Sequence, residues 1–401
     1  MRAGIYLSLV QWLFALTWTV YVVFLPGLAE SAGIARKWVV WILIADQLIF
    51  ISMDLALGIA ADRVAAQMRR LGPWIAGISA LSCVAFLLMP LAPASASVAA
   101  PTLLLLIAIW AVTSSALRAP IIALLGQHAQ PAAATWLTSL ALLGLGLAGA
   151  LAPWLTVRLR GLDPRLPFAL AGFGLLVAVA GMGWAERRMR LDGPATPLPR
   201  VAPQGGLGPV FFAAIALLCL GFQVHTAINS APYYLRLAAP ALLEWLLPSF
   251  WVGFSLAIVP AAGLINRYGA ATILIVGAVL GAASLATMES AANLSLLVAL
   301  QLSSGVGWAL TIAAAIGVAL AAGRSGREGR TAGIVFALLA LGAALRLAVV
   351  ATELHKMQEM AALLRWLPAL SWAAAVLLCV VWMRRGGRAF AGPNALPGGT
   401  V

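Results

Sequence analysis

Charge is what this sequence has least of. Only 9% of its 401 residues are Asp, Glu, Lys or Arg, against 63% hydrophobic ones, so most of the chain lacks the polar surface needed to stay dissolved in water. Cysteine is nearly absent too: Cys83, Cys219 and Cys379 each lie inside an apolar run, which excludes a disulfide framework and a cysteine-based metal site. No hydrophilic segment is long enough to form a domain. None carries a glycine-rich nucleotide loop, a metal motif or a nucleophile beside a base, so neither an enzyme nor a cofactor is expected. The first apolar run, Ile5 to Leu28, has no basic leader and no small-residue cleavage site, and is expected to remain as a helix.

What is present is a series of apolar runs of the length that crosses a bilayer, about twenty residues for roughly 30 Å of hydrocarbon. Punctuation by Gly, Pro and charge predicts twelve helices, near 5–28, 38–60, 71–92, 98–125, 133–157, 166–186, 209–236, 241–265, 270–289, 293–322, 329–352 and 361–384. The formal net charge of +13 is not a nucleic-acid footprint, because the basic residues fall in short clusters between the runs. With both termini cytoplasmic, fifteen Lys and Arg lie on the inside and eight outside, with Arg118 and Arg346 within helices. That asymmetry follows the positive-inside rule and predicts a multi-pass protein of a cell inner (plasma) membrane. The expected organisation is an N-terminal six-helix bundle (1–186), a cytoplasmic linker (187–208), a C-terminal six-helix bundle (209–385) and a disordered cytoplasmic tail (386–401). A monomer is expected, with the lipid bilayer and a small-molecule substrate as its partners and no nucleic acid.

An internal echo supports two halves: Gly58-Ile-Ala-Ala-Asp62-Arg63 follows the second helix, and Gly263-Leu-Ile-Asn266-Arg267 follows the eighth, 266 − 62 = 204 positions later. The first stretch, running from Asp54 through Gly58, Asp62 and Arg63 to Arg69, Arg70, Pro73 and Trp74, resembles the loop signature of major facilitator transporters. The resemblance implies an all-α membrane fold of two pseudo-symmetric six-helix bundles around a central solute pathway. It also implies a gating role for Asp54, Gly58, Asp62, Arg63, Asn266 and Arg267: glycine lets helices approach, and an Asp-Arg pair can bond to neighbouring helices in one gate state only. Over about forty residues, with a second likeness at Arg118 to Leu125, the pattern is similar to the glycoside-pentoside-hexuronide cation symporters and their sucrose-transporter relatives. Two departures bear on coupling. Phe50 stands where a carboxylate would precede Asp54 by one turn, and Arg118 lies on the adjoining helix four, so pairing of Arg118 with Asp54 and sodium-independent transport are expected; the alternative is that Asp54 only caps its helix while Arg118 faces water. The Gly-Pro signature of drug antiporters is missing from Gly144 to Pro153.

Ionisable residues at membrane depth cost roughly 2.5–3.5 kcal/mol and need a partner, an aqueous cavity or a function. Asp46, Arg118 and Arg346 are such residues, and the planar fork of arginine favours carboxylate, phosphate or sulfate. Gln223, Asn229 and Tyr233, read as one face of helix seven, offer hydrogen bonds to a polar solute. Gln11 and Trp12 on helix one, and Gln301 and Trp308 on helix ten, complete the candidate substrate-binding set. Asp46 and His225 are candidates for coupling transport to protons. The function expected is secondary active transport of a sugar-like solute or organic anion by alternating access. The competing readings are export of drug-like or lipophilic compounds, and a non-transporting receptor or assembly factor on the same fold.

Overall fold

The computed structural model describes residues 2–68, 70–192, 207–324 and 326–390. Among them there is no strand, and twelve helices are long and apolar enough to cross a membrane. They are α1 (Arg2–Ser31), α2 (Arg36–Gln67), α3 (Leu71–Pro93), α4 (Ala99–His128), α5 (Pro131–Leu159), α6 (Arg165–Leu191), α7 (Pro209–Leu235), α8 (Pro240–Tyr268), α9 (Ala270–Met288), α10 (Leu294–Gly323), α11 (Glu328–Ala351) and α12 (Gln358–Arg384). Large apolar side chains stand outside as well as inside: Leu170, Leu256 and Leu377 are 68%, 69% and 69% exposed. Such a surface suits lipid and would aggregate in water.

The helices form two bundles with matching internal contacts. In the first, α1 packs on α5 and α6, and α3 on α4 and α6; in the second, α7 packs on α11 and α12, and α9 on α10 and α12. The bundles meet along two seams that are equivalent under the same pseudo-symmetry, α2 with α11 and α5 with α8. Since the helix count is even, both ends of the chain emerge on one side, here termed the terminal face.

Two boundaries differ from the sequence expectation. The helix at the end of the first half continues through Asp192, past the expected start of the linker at 187. Gly387–Phe390 forms a 3₁₀ turn whose Phe390 ring stacks 5.8 Å from Trp382, so the chain stays ordered past the expected start of the tail. The remaining linker (193–206) and tail (391–401) lie outside the described residues.

Several helices are broken where polar side chains are needed. In α4, a regular helix over Ala99–Ser114 passes through a 3₁₀ turn, Ser115–Leu117, and restarts at Ala119–His128 with Arg118 at the joint. Pro120, which lacks an N–H, enters the restarted helix in its first turn, where that donor is not required. The break leaves the Leu117 carbonyl to the Gln11 amide of α1, which donates to it at 2.6 Å. In α7 a π-turn, His225–Asn229, separates Pro209–Val224 from Ser230–Leu235. Pro368 lies inside α12 and deprives the Leu364 carbonyl of its usual donor four residues on.

Candidate functional site

At the terminal face the bundles are locked together across both seams. Asp62, at the end of α2, accepts hydrogen bonds from the backbone N–H groups of Gly329 (2.7 Å) and Arg330 (2.9 Å) in the first turn of α11. Those donors have no intrahelical acceptor, and the helix dipole places partial positive charge there, so a carboxylate is the natural cap. The echo sequence does the equivalent thing with different chemistry: Asn266, at the end of α8, donates its amide to the Ala132 carbonyl at the start of α5 (3.2 Å). Pro131 opens α5 and has no N–H to offer. The crossings are made by Asp62 and Asn266, while Arg63 and Arg267 are exposed, the latter lying over its neighbour Tyr268 at 5.2 Å. Beneath the Asp62 cap, a Cβ on Gly58 would meet the Gly329 carbonyl, and one on Gly329 the Gly58 carbonyl, so two glycines let the α2 and α11 backbones touch.

One layer deeper, Arg118 Nη2 lies 3.2 Å from Asp54 Oδ2, within the first bundle. The carboxylate is fully buried and the guanidinium side chain only 14% exposed. The contact is Coulombic more than directional, because the geometry does not meet that of a hydrogen bond. The same guanidinium lies 5.1 Å from the Phe50 ring of α2 and 5.4 Å from the Phe336 ring of α11, and Nη2 donates to the Phe336 carbonyl at 3.4 Å. Arg118 therefore bridges the bundles as well as neutralising Asp54.

Further toward the opposite face are two charges without a counter-ion among the described residues. Asp46 on α2 is buried and accepts a hydrogen bond from the Tyr21 hydroxyl of α1 at 2.7 Å. Arg346 on α11 donates through Nε to Gln223 Oε1 of α7 at 3.1 Å and has no acidic partner. The two are in different bundles.

The remaining candidates are engaged in packing. The π-turn divides the expected single face of α7: Gln223 turns to α11, whereas Asn229 donates to the carbonyls of Leu364 (2.8 Å) and Arg365 (3.4 Å) on α12, and Tyr233 to that of Arg365 (3.3 Å). A π-turn widens the helical period over those residues and rotates everything beyond it. Asn229 thus supplies the donor that Pro368 removed. His225 Nε2 lies 2.9 Å from Gln301 Oε1, and Gln301 donates to Ser230 Oγ at 3.1 Å; His225 Nδ1 is buried without a partner among the described residues. Trp308 is 3% exposed and stacks on Phe222 at 4.3 Å. Trp12 is partly buried where α1 crosses α5 at Gly144.

Sequence reasoning missed Glu186. This buried carboxylate near the end of α6 accepts from the N–H groups of Leu71 and Gly72 (both 3.0 Å) at the start of α3, sits 3.2 Å from His128 Nε2, and accepts from Arg190 at 2.6 Å. Only Arg190, four residues on, was a local signal.

The arrangement is the major facilitator fold: two six-helix bundles, joined at one face by helix-end caps, with polar groups of both at depth. No protein-family model and no curated protein matches the sequence. Among solved structures, the chain is similar to a bacterial homologue of the iron transporter ferroportin in an outward-facing state, with a TM-score of 0.71 at 14% identity over 96% of this chain and 100% of that one. It is similar to the human organic anion transporter MFSD10, at 0.70 and 14% over 94% and 99%. The proton:xylose symporter XylE, bound to 6-bromo-6-deoxy-D-glucose, gives 0.67 and 13% over 94% of each chain. At such identities the likeness establishes the fold.

Proposed function

We propose that this chain is a secondary transporter that carries a small organic anion across a cell inner membrane by alternating access, with both termini cytoplasmic. The observation that carries the reading is Arg346: a partly buried guanidinium within a membrane helix, held by Gln223 and without an acid among the described residues. A cation in that setting costs roughly 2.5–3.5 kcal/mol unless a partner, an aqueous cavity or a ligand offsets it, and its fork is matched to carboxylate and phosphate. The caps at Asp62 and Asn266 support a two-state gate, since each bonds to the opposite bundle and must release for the terminal face to open. Protons are the candidate coupling ion, through Asp46. Sodium is not, because Arg118 already supplies the positive charge beside Asp54.

The test is thermal stabilisation of the purified protein by carboxylates, phosphate esters, sulfonates and neutral sugars, at several pH values and with and without sodium. A ligand at a hundred times its Kd stabilises by about 2.7 kcal/mol. Anions should stabilise irrespective of sodium, Arg346→Ala should abolish the effect in a folded protein, and Arg346→Lys should retain part of it. Stabilisation by neutral sugars alone, or by anions equally in Arg346→Ala, would overturn the reading.

A further inference from the structure

Asp46 and Arg346 lie on the two helices of one seam, both beyond the Arg118 layer toward the face opposite the terminal one. α2 and α11 run antiparallel, and Phe50 and Ala340 share a packed cluster at their seam. From the backbone contact of Gly333 with the Asp54 carbonyl, toward the face opposite the terminal one, Asp46 is eight residues away, about 12 Å, and Arg346 thirteen, about 20 Å. Side chains on a helix lean back toward its N-terminus, which for α11 is toward the terminal face and for α2 toward the opposite one, so the long arginine and the carboxylate lean toward each other's level.

The two charges do not form an ion pair. Each is held by a neutral partner of its own bundle, Asp46 by Tyr21 and Arg346 by Gln223. The Tyr21 hydroxyl occupies Oδ2 of Asp46, and Oδ1 has no hydrogen-bond partner among the described residues. Tyr21, which holds the acidic side, belongs to an aromatic cluster. Tyr21 lies 4.6 Å from Trp110, and Trp18 lies 5.6 Å from Tyr21 and 5.8 Å from Phe50. Trp18 is only partly buried and packs against the cluster that includes Ala340 of the opposite bundle, so it borders the seam. A carboxylate beside aromatic faces is a setting for an ammonium group, which gains from both the charge and the ring quadrupoles. A guanidinium beside an amide is a setting for a carboxylate.

Resting on the reading of Arg346 as an anion site, we infer that the solute is a zwitterion, an amino-carboxylate whose ammonium group binds Asp46 within the Trp18 and Tyr21 rings and whose carboxylate binds Arg346 and Gln223. Such a solute neutralises both charges at once, and neither of its ends alone does so. It also spans the two bundles, so its affinity depends on their separation, which is what a transported ligand requires to favour one state over another.

The experiment measures binding to the purified protein of pentanoate, pentylamine and the ω-amino acids from glycine to 6-aminohexanoate, the series covering the separation of charges. At least one amino acid should bind tenfold or more tightly than pentanoate. Asp46→Asn, which keeps the shape and an acceptor for Tyr21, should abolish the amino acid's advantage over pentanoate without weakening pentanoate, whereas Arg346→Gln should weaken both. If pentanoate binds as tightly as every amino acid, or Asp46→Asn leaves their ratio unchanged, the zwitterion is wrong and the anion site stands. If neither pentanoate nor any amino acid binds while a neutral sugar does, the anion site falls as well. The wild-type ratio decides the matter even if a variant fails to fold.

Discussion

Removing the Asp62 carboxylate should open the terminal face. The side chain accepts two charge-assisted hydrogen bonds, at 2.7 and 2.9 Å, and Asp62 is partly exposed, so each is worth the low end of the usual range, about 1.5 kcal/mol. Both partners lie in the other bundle, so the whole amount of about 3 kcal/mol belongs to the closed arrangement and is lost on opening. Asp62→Ala should therefore shift the closed-to-open ratio by roughly 150-fold, since about 1.4 kcal/mol is a factor of ten. Asp62→Asn keeps one acceptor and no charge, and should shift it by roughly tenfold, half of the loss in free energy. Arg63→Ala is the control, because Arg63 is exposed and outside the crossing. Spin labels at Gln67 and Tyr268, both exposed at helix ends of opposite bundles, report the separation by double electron–electron resonance. Wild type and Arg63→Ala should give one short distance and Asp62→Ala a broad, longer population. An unchanged distribution in Asp62→Ala, or equal opening by Arg63→Ala, would refute the reasoning.

Arg118→Ala and Asp54→Ala should each cost about 3–5 kcal/mol of stability or fail to express, because one strands a buried carboxylate and the other a buried guanidinium, while the double replacement recovers part of the loss; strictly additive losses in a double-mutant cycle would rule out the pairing. Asn229→Ala should lower stability by about 1–3 kcal/mol through the unpaired Leu364 carbonyl, and Pro368→Ala should restore much of it by returning the helix's own N–H donor; failure of that rescue in thermal melts would show that Asn229 acts elsewhere. Single cysteines at Arg187 and Leu162, both exposed, should be labelled by an impermeant reagent from the cytoplasm and from outside respectively, and the reverse would invert every gate assignment.

The span count and both helix-end crossings were legible because each is local: hydropathy is read over a window of about twenty residues, and the crossing residues lie in a short motif and its echo. The proximity of Arg118 to Asp54 was legible for a different reason, that two charges at one depth on adjoining helices are costly apart. What was not legible depended on backbone irregularity or on distant partners. Gln223, Asn229 and Tyr233 fell on different neighbours because of a π-turn for which the residues His225 to Asn229 give no compositional sign. Asn229 went to α12 because of Pro368, far away in sequence. Glu186 is bound by the start of α3, more than a hundred residues earlier, and Gly329 is paired with Gly58 across the two bundles. Depth in the membrane marked Trp308 as a candidate for stacking on a solute; it did not reveal that Phe222 would stack on it.

On the proposed function, α11 connects substrate and gate. Asp62 caps its first turn, Arg118 reaches the Phe336 carbonyl two turns on, and Arg346 projects from its far third. Between Gly329 and Arg346 lie 346 − 329 = 17 residues, about 25 Å of helix. α4, α7 and α12 are each interrupted or carry an internal proline, whereas α11 runs unbroken from Glu328 to Ala351 without one. A load applied at Arg346 by a carboxylate is therefore carried as rigid-body motion to the turn that Asp62 holds. The partner seam is capped more weakly, because Asn266 makes one neutral bond where Asp62 makes two charged ones, so release of the α11 cap is what limits opening. Linkage makes this reciprocal: a carboxylate that binds Arg346 must shift the distance between labels at Gln67 and Tyr268, and Asp62→Ala must change the affinity for that carboxylate in the matching sense. A ligand that binds Arg346 and leaves the label distances where they were would uncouple the two sites and remove α11 from the mechanism.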